Sequence, residues 1–155
     1  MKKNNNKKIS THLRRKSQNK RNLRFRNSKV GKKCPQCGYS MNKASPPGKD
    51  PFSVTIEHIQ PMDLVHGGDS NMSNLEIICY SCNNARNKLK QKYELKGDIL
   101  PDKFWYSSIY HERPRNKISL IKIYPNEWAD LLQLLSIEEQ VKQKFQGRIK
   151  GIIET

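Results

Sequence analysis

Apolar and polar positions alternate or recur in only a few stretches of this chain, and those stretches define its elements. Ser53-Val54-Thr55-Ile56-Glu57 alternates with β-branched residues and predicts a strand, stopped by Pro61. Met62 to Ser73, with Gly67-Gly68 and Asp69-Ser70-Asn71, reads as a loop, and Leu75 to Ile78 as a second short strand. From Asn83 to about Lys96, Ala85, Leu89 and Tyr93 recur every four residues, which predicts a helix closed by Gly97. Lys117 to Tyr124 alternates as a further strand, with Ile118, Leu120 and Ile123 turned inward. Asn126 then starts a short helix bearing Trp128, Leu131, Leu132 and Leu135. Ser136-Ile137-Glu138-Glu139 has the form of a capping box and begins another helix with Ile137, Val141 and Phe145 on one face. Trp105, Tyr106, Tyr110 and Trp128 are expected to pack in the core.

Before Cys34 the pattern vanishes. Residues 1–33 are dominated by Asn, Lys, Arg and Ser and read as a largely disordered arm. The expected organisation is thus an arm (1–33), an α+β core (34–97) and a strand-plus-helices extension packing on it (98–155).

Composition changes this picture in one respect. Only 34% of residues are apolar, against about 45–50% in ordinary soluble domains, so the core needs a staple. The four cysteines can supply it. They form two pairs, Cys34-x-x-Cys37 and Cys79-x-x-Cys82, the pattern of a tetrahedral structural Zn²⁺ site. Such an ion would join two distant parts of the chain, the loop at residue 34 and the strand-to-helix junction at residue 79. No apolar run approaches the roughly 20 residues of a membrane span, and no signal-peptide pattern follows Met1. The expectation is a cytoplasmic protein, encoded by a bacterium or phage on its Lys- and Asn-rich composition, with cysteines that bind metal rather than form disulfides.

The charge is more informative once located. The net charge is +16, yet residues 1–49 hold 16 of the 30 Lys and Arg and no acidic residue; the remainder balances at 14 of each sign. A segment so charged attracts polyanions by counterion release. DNA, or less readily RNA, is the expected partner, through Arg14, Arg15, Arg21, Arg24 and Arg26; the alternative is a tail that only confers solubility. On the predicted helix, Arg86, Lys88, Lys90 and Lys92 suit phosphate contacts or an ordinary solvated face.

Between the cysteine pairs lie Glu57-His58-Ile59-Gln60-Pro61, Gly67-Gly68 and Asn74-Leu75; Asn83 follows Cys82 directly. This order resembles the HNH family, the ββα-metal or His-Me finger nucleases, over about Cys34 to Lys90. The resemblance implies a small ββα-metal core in which His58 is the general base for water and Glu57 and Asn83 hold one Mg²⁺ or Mn²⁺ ion. Asn74 would order the loop and orient the His58 ring through a hydrogen bond. Glu57 stands where Asp is commoner in the family, which leaves the choice of ion open. Taken singly, Asn74 could be a turn residue, Asn83 a helix cap, and Glu57-His58 an exposed strand end; His66 and His111 read as loop residues. A zinc-knuckle protein that binds DNA or RNA without cutting it, or a structural, ribosome-associated one, would explain the arm and leave these residues idle.

Overall fold

The computed structural model describes residues 20–46, 49–63, 65–110 and 124–135. The expected strand at 117–124 (all but its last residue), the helix from Ser136, and Arg14, Arg15 and His111 lie outside them. The architecture is α+β. Strands β1 (Val54–His58) and β2 (Leu75–Cys79) pair antiparallel, from Val54 opposite Cys79 to His58 opposite Leu75. Helix α1 (Tyr80–Leu95) follows β2 without a loop, and α2 (Asp102–Tyr110) and α3 (Pro125–Gln133) pack beyond it.

Both strands lie within a residue of their expected ends, but α1 begins three residues early, so Cys82 and Asn83 sit in its first turn. Its first amides have no partner within the helix. Those of Tyr80 and Ser81 donate instead to the carbonyls of Ser53 and Pro51, at 2.9 and 2.8 Å, which stitches the helix start to the segment entering β1. At the other end Gly97 takes φ 77°, as expected of a helix stop. Helix α3 starts at Pro125 rather than being capped by Asn126; Pro at the first helical position needs no amide partner.

Two segments depart from expectation. Residues 20–27, placed in the arm, are helical. Phe25 of this segment packs on the core, and Gly31 and Lys32 pair with Met41 through backbone bonds of 2.8 and 2.9 Å. Helix α2, where no element was expected, buries Phe104, Trp105 and Ile109.

The core runs from the four cysteines through Val54, Ile77, Ile78, Ala85 and Leu89 to an aromatic group around Phe104, Trp105 and Trp128. Phe104 sits 5.3 Å from Trp105 and 6.5 Å from Trp128, edge on to both. Tyr110 is buried as expected, whereas Tyr106 is 42% exposed. Tyr93 of α1 donates to Asp130 of α3 at 2.8 Å, and Lys92 pairs with the same carboxylate at 3.4 Å. Among the described residues no helix is long and apolar enough to cross a membrane.

Candidate metal centres and catalytic cleft

The four cysteines converge. All are buried, and their sulfurs lie within 4.8 Å of one another. A tetrahedral zinc with Zn–S bonds of about 2.3 Å has sulfur–sulfur edges of about 3.8 Å, and Cys37 and Cys79 Sγ stand 3.8 Å apart. The donor set therefore fits zinc. Local backbone explains the convergence. The chain turns so that Gly38 N–H donates to the Cys34 carbonyl and Cys34 N–H to the Tyr39 carbonyl, both at 2.8 Å, with Gly38 at φ 80°. The second pair comes from the end of β2 and the first turn of α1. Cys79 N–H points at Cys34 Sγ, 3.4 Å away, and so links the two knuckles directly.

Glu57 and His58 end β1. Adjacent strand residues face opposite ways, yet both line one cleft of about 150 Å³, together with Pro61, Met62, Asn87 and Lys90. The strand terminates here. Ile59 N–H donates to the Asn74 carbonyl at 2.8 Å, and the chain then leaves the sheet. One Glu57 oxygen accepts the His58 N–H at 2.9 Å and the other accepts Arg86 Nε–H at 3.3 Å. Glu76 stands directly across the sheet from Glu57. Like charges in such a pair repel; here Arg86 takes one carboxylate, and the Tyr110 hydroxyl donates to the other at 2.7 Å.

Asn74 orders the loop. Its Oδ1 accepts Gln60 N–H at 2.9 Å, and its Nδ2 donates to the carbonyls of Gln60 and Asp69 at 3.0 and 2.8 Å. The amide is thereby committed to backbone on both sides, so the expected bond to the His58 ring gives way to an indirect hold through residues 59 and 60. Gly68 closes the loop by contact. A Cβ there would stand 2.1 Å from the Gln60 carbonyl oxygen and 2.7 Å from that of Pro61. Gly68→Ala is expected to destabilise the fold by about 1–3 kcal/mol, since backbone rather than a flexible side chain must move. Urea unfolding measures it; an unchanged midpoint would show that the loop yields freely.

Asn83 faces β1. Its Nδ2 donates to Thr55 Oγ1 at 3.1 Å and the Ile56 carbonyl at 3.2 Å, which turns Oδ1 away from the strand, where Asn87 Nδ2 meets it at 3.2 Å. Asn87, one helical turn on and lining the cleft with Glu57, was not singled out from sequence. Its spacing of four from Asn83 was the available signal.

Two basic residues of α1 make contacts within the protein. Arg86 is 2% exposed and points inward rather than toward solvent. Burial pulls its pKa down, and the neighbouring Glu57 carboxylate opposes that pull. Lys90 stands 2.7 Å from Asp63 and 3.6 Å from Glu94, so its charge is already matched. Its hydrogen bond, aided by His66, holds the Asp63 carboxyl well below the usual carboxylate range. Lys88 remains exposed, as do Arg21 and Arg24, with Arg26 half-buried. His66, expected as a loop residue, is buried edge-on to Trp105 and bonded through Nδ1 to Asp63 at 2.7 Å. Asp63, His66 and Glu94 lie close enough to hold a cation, and the Lys90 ammonium supplies one there.

Comparison with curated proteins and with solved structures gives no match. The family model described as HNH endonuclease matches residues 34–89, from the first cysteine of the cluster to the buried Leu89 of α1. That stretch contains the four-cysteine cluster, both strands, Glu57, His58, Asn74 and Asn83. Through residues 34–89 the chain is similar to the HNH endonuclease family.

Proposed function

We propose that this protein is a metal-dependent endonuclease that hydrolyses DNA phosphodiester bonds, with His58 as the base for the attacking water and Glu57 and Asn83 as ligands of one Mg²⁺ or Mn²⁺ ion. The observation that carries the reading is the shared cleft, in which Glu57 and His58 stand side by side with Asn87 of α1. Carboxylate and amide oxygens are what small hard cations accept, in a shell completed by water and phosphate. In support, Glu57 is fixed from two sides and Asn83 Oδ1 is turned off the strand toward Asn87; it is Asn87, not Asn83, that lines the cleft with Glu57, and it is a candidate third ligand. Such an ion supplies charge neutralisation at the phosphate and at the departing 3′ oxygen.

The protein's own part is positioning and proton transfer. His58 in its neutral form takes a proton from water, leaving a hydroxide-like oxygen to attack phosphorus. The bond to the 3′ oxygen breaks as the bond to water oxygen forms. Beside it, Arg86 holds the Glu57 carboxylate.

Conversion of supercoiled plasmid by the full-length protein in Mg²⁺, and its suppression by EDTA, test this reading, with an RNA substrate in parallel. A zinc-loaded protein that binds plasmid and never cuts it would instead be a zinc-knuckle binder.

We further assign substrate anchoring to the basic helical segment 20–27. Arg21 and Arg24 are exposed on a helix held to the core by Phe25. Replacing both with alanine should weaken binding and flatten its salt dependence by about 0.9 logarithmic units of slope per lost phosphate contact on duplex DNA. An unchanged slope would remove this segment from the interface.

A further inference from the structure

The Arg86 side chain makes an unusual set of contacts. A guanidinium has five N–H donors in a fixed plane. Here Nε donates to Glu57 Oε2 at 3.3 Å; one terminal nitrogen donates to the carbonyls of His58 and Ile59 at 3.1 and 2.7 Å. The other donates to the Trp105 carbonyl at 2.9 Å and to Ser108 Oγ, whose own proton goes to the Trp105 carbonyl. The five donors meet five acceptors. The plane also lies over the Trp105 ring, 4.9 Å from its centroid.

Only one of those acceptors is a carboxylate, so this is more than an ion pair. Three of them belong to residues 57–59, at and just past the end of β1, and two belong to α2, a helix beyond the matched segment 34–89. We infer that Arg86 is a positioning residue for the cleavage reaction, a jig that fixes the Glu57 carboxylate and the His58 backbone together and is itself held by α2. The inference rests on the nuclease reading above.

The physical case is geometric. Where β1 leaves the sheet, the carbonyls of His58 and Ile59 would otherwise need water or another partner. Arg86 takes both, and so sets the backbone from which the imidazole projects. The same plane fixes one oxygen of Glu57, leaving its orientation no freedom to follow an approaching cation. Outer partners of this kind commonly change metal affinity or activity by about 10–100-fold when replaced. Lysine preserves the charge and loses the fork. The basic residue at 86 is therefore required to be arginine, and α2 becomes part of the site although it contributes nothing to the cleft except Trp105.

The test uses the full-length, zinc-loaded protein with Arg86→Lys and, separately, Ser108→Ala, which removes one acceptor and leaves the charge untouched. Mn²⁺ affinity is read by electron paramagnetic resonance, and kcat and KM by plasmid cleavage. Arg86→Lys should weaken Mn²⁺ binding and lower kcat, each by about 10-fold or more, with KM for DNA within twofold of wild type. Ser108→Ala should move both in the same direction by a smaller factor. Wild-type Mn²⁺ affinity and kcat in a folded Arg86→Lys protein would overturn the assignment. If Arg86→Lys loses zinc or fails to fold, Ser108→Ala decides: unchanged values overturn the assignment, and a parallel fall in affinity and kcat supports it. A wild-type protein that binds Mn²⁺ but does not cut would refute the nuclease reading alone, because the shift in Mn²⁺ affinity would still report on Arg86.

Discussion

His58→Ala is expected to lower kcat for plasmid cleavage by about 10²–10⁴-fold, the range that a positioned general base contributes. Binding should change little, because the substitution leaves the local structure intact. The bonds that fix residue 58 are made by its main chain: N–H to Glu57, C=O to Arg86, and register with Leu75. Alanine retains all of them. The ring is half-buried at the rim of the cleft, so its loss opens no sealed cavity. A fall in cleavage without a fall in affinity or unfolding temperature would locate the defect in proton transfer. Equal cleavage by both proteins would sink the role of His58.

Stripping zinc is expected to abolish cleavage even in excess Mg²⁺, by a different route. Structural zinc sites contribute on the order of 10–16 kcal/mol in small peptides, comparable with the whole stability of an ordinary domain. Without the ion, four buried sulfurs converge with nothing to hold them, in a chain whose apolar content is already low. The damage reaches the cleft through the covalent chain. Cys82 is followed at once by Asn83, whose side chain is hydrogen-bonded to β1, and Cys79 ends the strand that pairs with Glu57 and His58. Circular dichroism and cleavage on the same zinc-free preparation check this. Full activity with verified absence of zinc would contradict it.

The strands, the first long helix and the four-cysteine frame were legible because each carries a local signal: β-branched alternation, a four-residue apolar recurrence, paired C-x-x-C. Helix α2 was hidden by its own composition. Phe104, Trp105, Tyr106, Ile109 and Tyr110 are residues enriched in strands, and tertiary burial overrides that preference. Pro101-Asp102 did mark its start. Arg86 was misjudged by residue type. Its position, four after Cys82 and three before Leu89, lies on the inward face of α1, and that spacing outranks the habit of placing arginine in solvent. The segment 20–27 has too few apolar residues to announce a helix; Phe25 packs it on the core. Nothing local to Asp63 or Lys90 could reveal that they meet across the loop.

The pairing of Gly31 and Lys32 with Met41 has a geometric consequence. It mounts the basic helix on the same knuckle that carries Cys34 and Cys37, so on the proposed reading the anchoring helix and the cleft would share one support. With such a mounting, the strand break should fall at a constant offset from the nucleotides that the helix shields. A protein tethered by a slack leader would leave ragged ends instead, and end-mapping of cleaved fragments against a footprint distinguishes the two.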